Sequence, residues 1–290
     1  MEASVLQRLL DSGRRPILAE LDPPRQEAPA AFLAAARELY ACGADLITVA
    51  DCPIGRASID ASMVAAKLKR ESGVEVLPHM ACRDRNLNAI KALLMGLDME
   101  GVRQVLLITG DPVSHEDEQQ VKGVFQLNAK TLAKAVSGLS RQGKLADFYL
   151  CGALNINARN FDAEISKARE KEQNGIRAFL TQPVCSRRAA DNLRLAREQL
   201  KGRLLGGLFP VVSYNNARFL QREVAGMAID ESIVASYAGL DRAQGEARGL
   251  QLCLDAARDI APWVDGYYIM TPFRRVALVK ALMAHLRRMP

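Results

Sequence analysis

The chain has 290 residues, 49% of them hydrophobic and 25% charged, and a net charge of +6 from 39 basic against 33 acidic side chains. Those fractions are ordinary for a soluble globular protein, and the length is that of two small domains or one large α/β barrel. The charge is spread along the chain without interleaved arginines and aromatics, and no apolar run approaches the ~20 residues of a membrane span, so nucleic-acid and membrane roles are set aside.

The first residues, MEASVLQRLLDSGRRP, put Val5, Leu6, Leu9 and Leu10 at helical spacing. Glu2 stands where a signal peptide would carry a basic region, and the expectation is an extra N-terminal helix on a cytoplasmic protein. Eight short apolar runs follow, each bounded by Gly, Pro, Asp or Asn. They are PILAEL (16–21), DLITVA (45–50), VEVLP (74–78), QVLLIT (104–109), FYLCGAL (148–154), RAFLTQ (177–182), LLGGLFP (204–210) and VDGYYIM (264–270). Such runs read as buried parallel strands.

Between them the period is helical. The stretch before strand two ends on Gly43, and Asn86 and Gly101 bracket the helix before strand four. The next begins near Asp162 and ends at Gly175, and an extended helical connection over 211–263 precedes the last strand. Strand and helix alternate eight times with no linker, which predicts a single α/β domain over 1–290, a (β/α)8 TIM barrel. Neither G-x-G-x-x-G nor a phosphate-loop motif is present to favour an open sheet.

A barrel places its active site at the C-terminal strand ends. Those ends carry Glu20-Leu21-Asp22-Pro23-Pro24-Arg25, Asp51, His79, Thr109-Gly110-Asp111-Pro112, Asn155, Asn157, Gln182 and Thr271. So many polar groups point to catalysis rather than to turns alone. Cys42, Cys52, Cys82, Cys151, Cys185 and Cys253 include no Cys-x-x-Cys pair and read as small buried hydrophobes. The alternative is a metal shared by Cys52, Cys82, Cys151 and Cys185.

PILAELDPPR, PHMACRDRN, VRQVLLITGDP, FLTQPV and GLFPVVSYNNARFL occur in an order that resembles the methylenetetrahydrofolate reductase family, from Pro16 to about Arg274. The bacterial form fused to a homocysteine methyltransferase is the most similar. The resemblance implies a flavin-dependent barrel that reduces 5,10-methylenetetrahydrofolate to 5-methyltetrahydrofolate with hydride from FAD. It makes Glu20 the general acid that opens the methylene bridge, although Glu20 read alone is equally a surface carboxylate or a partner for Arg25. Asp22 stands where many relatives have an aromatic residue, and a second carboxylate there would couple to the first.

The resemblance also places Asp111 between flavin and pterin, with Gly110 giving the backbone room to approach. It assigns Gln182, Tyr214 and Arg274 to the folate. His79, Thr109 (arginine in many relatives), Asn155, Asn157 and Lys171 are assigned to FAD, and no metal is implied. The reductant is open among NADH, NADPH, ferredoxin and a partner flavoprotein, as is assembly as a homo-oligomer or with a methyltransferase or electron-transfer subunit. Two rival readings stand beside it: a pterin-binding methyltransferase barrel, and a non-catalytic subunit of a one-carbon complex.

Overall fold

The structure is a computed structural model describing residues 3–25, 29–224 and 226–289. Helix α1 (Val5–Asp11) precedes the strands, as its spacing predicts. These are β1 (Ile17–Leu21), β2 (Leu46–Val49), β3 (Val76–Ala81), β4 (Gln104–Ile108), β5 (Tyr149–Leu154), β6 (Ala178–Pro183), β7 (Arg203–Leu208) and β8 (Gly266–Met270). All are parallel, and they close in sequence order with β8 paired to β1, so the predicted (β/α)8 barrel is the architecture found.

Helices α2 (Pro29–Ala41), α3 (Ala61–Ser72), α4 (Leu87–Met99), α5 (Ala129–Arg141), α6 (Phe161–Gln173) and α7 (Arg187–Gln199) follow β1 to β6 in turn. The long connection after β7 holds α8 (Tyr214–Glu223), α9 (Glu231–Ala235) and α10 (Arg242–Ile260), and α11 (Val276–Leu286) follows β8. Asn86 caps α4 as expected, accepting from Ala89 N at 2.9 Å. For α6 the cap is Asn160, and Asp162 lies in the first turn, where a negative charge suits the helix dipole.

Alternation along the strands divides the core. Outward side chains such as Ile17, Ala19, Leu21, Ile47 and Val49 pack under the helices. Leu18, Leu46, Leu77, Leu106, Leu180 and Leu205 fill the interior, joined by Leu6 and Leu10 of α1, which plug the N-terminal end. Two residues further along β1, β2 and β3 the same inward face carries Glu20, Thr48 and His79. The barrel is thus oily at its floor and polar at its mouth, and this gradient puts chemistry at the C-terminal end.

One boundary differs from expectation. The apolar run VEVLP predicts a third strand that ends at Pro78. In the structure it continues to Ala81, so His79 is inside the strand and not in the loop after it. Past the proline, His79, Met80 and Ala81 pair with Leu106, Leu107 and Ile108 of β4, and Ala81 N donates to Asp51 Oδ2 at 2.8 Å.

Candidate active site at the C-terminal mouth of the barrel

Glu20 is level with Thr48 of β2 and Met270 of β8 in the strand register. Its Oε2 accepts a hydrogen bond from Tyr268 Oη and lies 3.4 Å from His79 Nε2. Burial, and next the charge of Asp22, push the Glu20 carboxyl up to about 8 against the opposing pull of the Tyr268 hydroxyl. Burial takes His79 down to about 3, so the contact joins a neutral imidazole and a protonated acid at neutral pH. This is an acid held ready beside a ring nitrogen that has no other partner.

Asp111 reaches across to the neighbouring loop. Its Oδ2 accepts from Ile54 N at 2.9 Å, and Ser114 N donates to Gly55 O at 3.2 Å. Gly55 is required there, because a Cβ on it would lie 2.0 Å from Pro112 O. Beneath, the buried Arg83 donates to the carbonyls of Cys52 (3.4 Å) and Asp111 (3.3 Å) and pairs with Asp84. Arg85 clamps Asp51 and Asp60. The loops after β2, β3 and β4 therefore form one braced unit. Gly110 has φ +91°, and a Cβ there would press on Ala81 Cβ and Arg83 Cβ at 3.1 Å each.

The rim over β4 to β6 is different in kind. Thr109 and Lys171 line a cavity of about 230 Å3 with Lys130, Lys167, Asn128 and Ala153. Thr109 Oγ1 accepts from Ala129 N at 3.2 Å, and Lys171 Nζ donates to Ala153 O at 2.6 Å. Burial lowers the Lys171 amine below the usual lysine range. Asn155 Oδ1 accepts from Asn157 N at 3.0 Å. Asn157 Nδ2 donates to Pro183 O (3.2 Å) and Gly226 O (2.8 Å), leaving its buried Oδ1 without a partner. Gln182 also meets Gly226, where an added Cβ would approach its Cδ to 3.3 Å.

A third feature opens beside β1, a cavity of about 990 Å3. Asp22, Arg25 and Arg274 are on its wall with Ile54, Phe209, Phe219 and Phe273. Burial holds Asp22 above the usual carboxylate range, against the opposing charges of Arg25 and Arg274. Tyr214 does not line this cavity. It starts α8 and is engaged with Arg218, whose Nε donates to the phenol oxygen at 3.1 Å and whose guanidinium lies 5.4 Å from the ring centre. The expected site residues thus fall into three neighbouring groups, and Tyr214 belongs to none of them.

Residues 5–272 match the family model described as methylenetetrahydrofolate reductase. The chain belongs to that family. Among solved structures, an uncharacterised Clostridium thermocellum protein that binds two copies of 5-methyl-5,6,7,8-tetrahydrofolic acid is similar in fold. Its TM-score is 0.71 at 12% identity, over 97% of this chain and 99% of that one. A 2,3-dimethylmalate lyase (TM-score 0.54, 13% identity, 98% and 86% covered) and M. tuberculosis tryptophan synthase (0.53, 14%, 98% and 98%) share only the barrel.

Methylenetetrahydrofolate reductases generally use FAD, and this rim fits such a group. Three lysines beside the first residues of α5 suit phosphate oxygens. The buried His79 Nε2, whose neighbour is the Glu20 carboxyl, and the bare Gly110 would suit a flat ring system. The cysteines do not assemble. Cys82, Cys151, Cys185 and Cys253 are buried, with burial pushing Cys82 up to about 11; only Cys185 and Cys253 come near one another, and no metal-binding cluster exists among the described residues.

Sequence reading missed Tyr268, Arg83, Ile54 and Phe273. Period-two alternation through Gly266–Met270 would have turned Tyr268 inward with Glu20. The other three are set by loop conformations that no periodicity encodes.

Proposed function

We propose that this methylenetetrahydrofolate reductase family member reduces 5,10-methylenetetrahydrofolate to 5-methyltetrahydrofolate. The observation that carries the reading is the Glu20 carboxyl buried beside Tyr268 and His79, where burial pushes its pKa up to about 8. The methylene bridge accepts hydride poorly until one C–N bond opens to an iminium cation. Glu20 donates its proton to the departing nitrogen, and the resulting carboxylate sits next to the cation it has helped to form. FAD, when bound in its reduced form, supplies the hydride to the methylene carbon.

The remaining residues bind and orient. His79, Thr109, Gly110, Asn155, Asn157 and Lys171 would hold the flavin, Lys171 offering a cation to its phosphates. Asp111 uses Oδ2 to fix Ile54 and keeps its other oxygen for the amino edge of the pterin. Gln182 offers an amide to the same mixed donor and acceptor edge. Arg274, with Arg25 close by, meets the folate carboxylate. A nicotinamide nucleotide or a redox partner protein would supply the electrons.

The test is an absorbance spectrum of the purified protein followed by anaerobic addition of 5-methyltetrahydrofolate. A flavin spectrum that bleaches is the expected result, since the same hydride step then runs backward. Yellow protein unaffected by the folate removes the substrate assignment. Protein that stays colourless after incubation with FAD removes the flavoenzyme assignment.

A further inference from the structure

The wall of the cavity beside β1 has a feature that the assignments above do not use. β1 lies between β8 and β2 in the barrel, and the loops after those two neighbours flank Glu20 and Asp22. Each loop makes the same unusual turn. Pro53 is followed by Ile54 at φ +52°, and Pro272 is followed by Phe273 at φ +48°. A left-handed residue after proline in a turn is ordinarily glycine, and a β-branched or bulky residue there is an outlier. Both side chains are large and apolar, and both are exposed, Ile54 by 56% and Phe273 by 70%. Both line the same cavity.

Such strain persists only where the surroundings enforce it. Here they do. Asp111 takes the Ile54 N–H, Arg83 holds the carbonyl of Cys52 (itself at φ +49°), and Arg25 Nη2 donates to Pro53 O at 3.4 Å. At the other turn Arg275 N donates to Pro272 O at 2.9 Å, and the Arg275 guanidinium lies 6.0 Å from the centre of the Phe273 ring. The backbone is bent the costly way in both loops, and in both the result is an apolar side chain presented to the cavity.

We propose that Ile54 and Phe273 are a pair of apolar jaws that grip the flat middle of an elongated ligand whose anionic end lies at Arg25 and Arg274. This rests on the folate reading and names the part of the substrate concerned, the aminobenzoyl ring between the pterin head and the glutamate tail. The wall carries groups that suit such a molecule: the jaws take the aromatic ring, and the arginines take the carboxylates. The buried Thr271 hydroxyl on the same wall has no partner among the described residues and can bond the benzoyl amide. A nicotinamide nucleotide is also flat and anionic, so the test separates the two.

Glycine variants allow a clean measurement, because glycine relaxes a left-handed position while removing the jaw. Ile54→Gly and Phe273→Gly are expected to melt at or above the wild-type temperature. In calorimetric titrations of the flavin-loaded protein each weakens folic acid by about tenfold, the scale of one lost aromatic packing contact. Binding of 6-hydroxymethylpterin, which has the head without ring or tail, stays unchanged. Unaltered folic acid affinity overturns the jaws alone, as does an equal loss for the head group or a loss confined to NADH and NADPH. Wild-type protein that binds neither pterin probe overturns the folate reading and the jaws with it.

Discussion

Across β8, β1 and β2 the rim is strained and apolar, whereas across β4, β5 and β6 it is relaxed, cationic and tied by ordinary hydrogen bonds. The first arc holds Ile54 and Phe273 in left-handed conformations, at about 1–2 kcal/mol for each such residue. It also buries Glu20 and Asp22, and burial raises the pKa of both, with the charge of Asp22 adding to the rise at Glu20. The second arc places Thr109, Lys130, Lys167 and Lys171 around the start of α5 with no such distortion. A bound anion asks only for well-placed donors, which helix ends and lysines supply without strain. Holding a proton against solution chemistry requires burial, and presenting apolar groups to a ligand requires a backbone forced out of its preferred wells. On the proposed function the second arc holds the cofactor and the first handles the folate.

The largest break in that contrast comes from Glu20→Gln. Loss of the acid should slow methylene reduction by about 10²–10⁴-fold, while reduction of the flavin by its donor continues. Single-turnover kinetics of the two half-reactions check this, and unchanged folate reduction removes Glu20 as the acid. Stability carries a second sign. Between its ordinary 4.5 and about 8 the carboxyl is ionised in the unfolded chain but protonated in the folded one. The native state therefore binds more protons, and stability falls as pH rises through that window. Thermal melts of Glu20→Gln should lack this fall, gaining on wild type on the order of a few kcal/mol toward pH 8.

Asp111 joins the two arcs, so its variants should be next in size. Asp111→Ala frees the Ile54 N–H and removes the charge, and turnover should drop about 10- to 100-fold, as for a lost charged hydrogen bond. Asp111→Asn retains an amide oxygen for Ile54. It should keep the turn and the folate affinity while changing the flavin potential and the turnover. If the two variants bind folic acid equally poorly, Asp111 does not act through the turn. Lys171→Met touches only the relaxed arc. It should weaken FAD by about tenfold, the scale of a charge-assisted bond, and leave the pH dependence of the folate step in place. A shift in that dependence would show the arcs to be coupled.

The barrel was legible because burial writes itself into period-two and period-3.6 patterns, and each predicted strand recurs within a few residues of its observed place. Glu20, Asp111 and Gln182 were legible as polar groups at strand ends, and their proposed roles only through motif order. Nothing in AELDPP distinguishes a protonated acid from a surface carboxylate until burial is known. Ile54 and Phe273 were not legible at all. Pro-Ile and Pro-Phe predict turns, but the sign of φ at the second residue is decided by Asp111 and Arg83 for one and by the turn around Arg275 for the other. His79 was misplaced by a general rule, since proline ends strands more often than it sits inside them.

The smallest expected effect is also the most selective. Tyr268 donates to Glu20 Oε2, and that bond favours the ionised carboxylate. Tyr268→Phe removes it and leaves the desolvating ring in place. The Glu20 pKa should therefore rise further above about 8, and the alkaline limb of the pH–rate profile should move upward with it. Below that limb Glu20 is already protonated in both proteins, so their rates should agree there apart from a small change in placement of the acid. A limb that moves down would mean that the phenol donates to the acid form instead and stabilises the proton rather than loosening it. A limb that does not move would place the titrating acid elsewhere, with Asp22, two residues along and raised by its own burial, as the group to replace next.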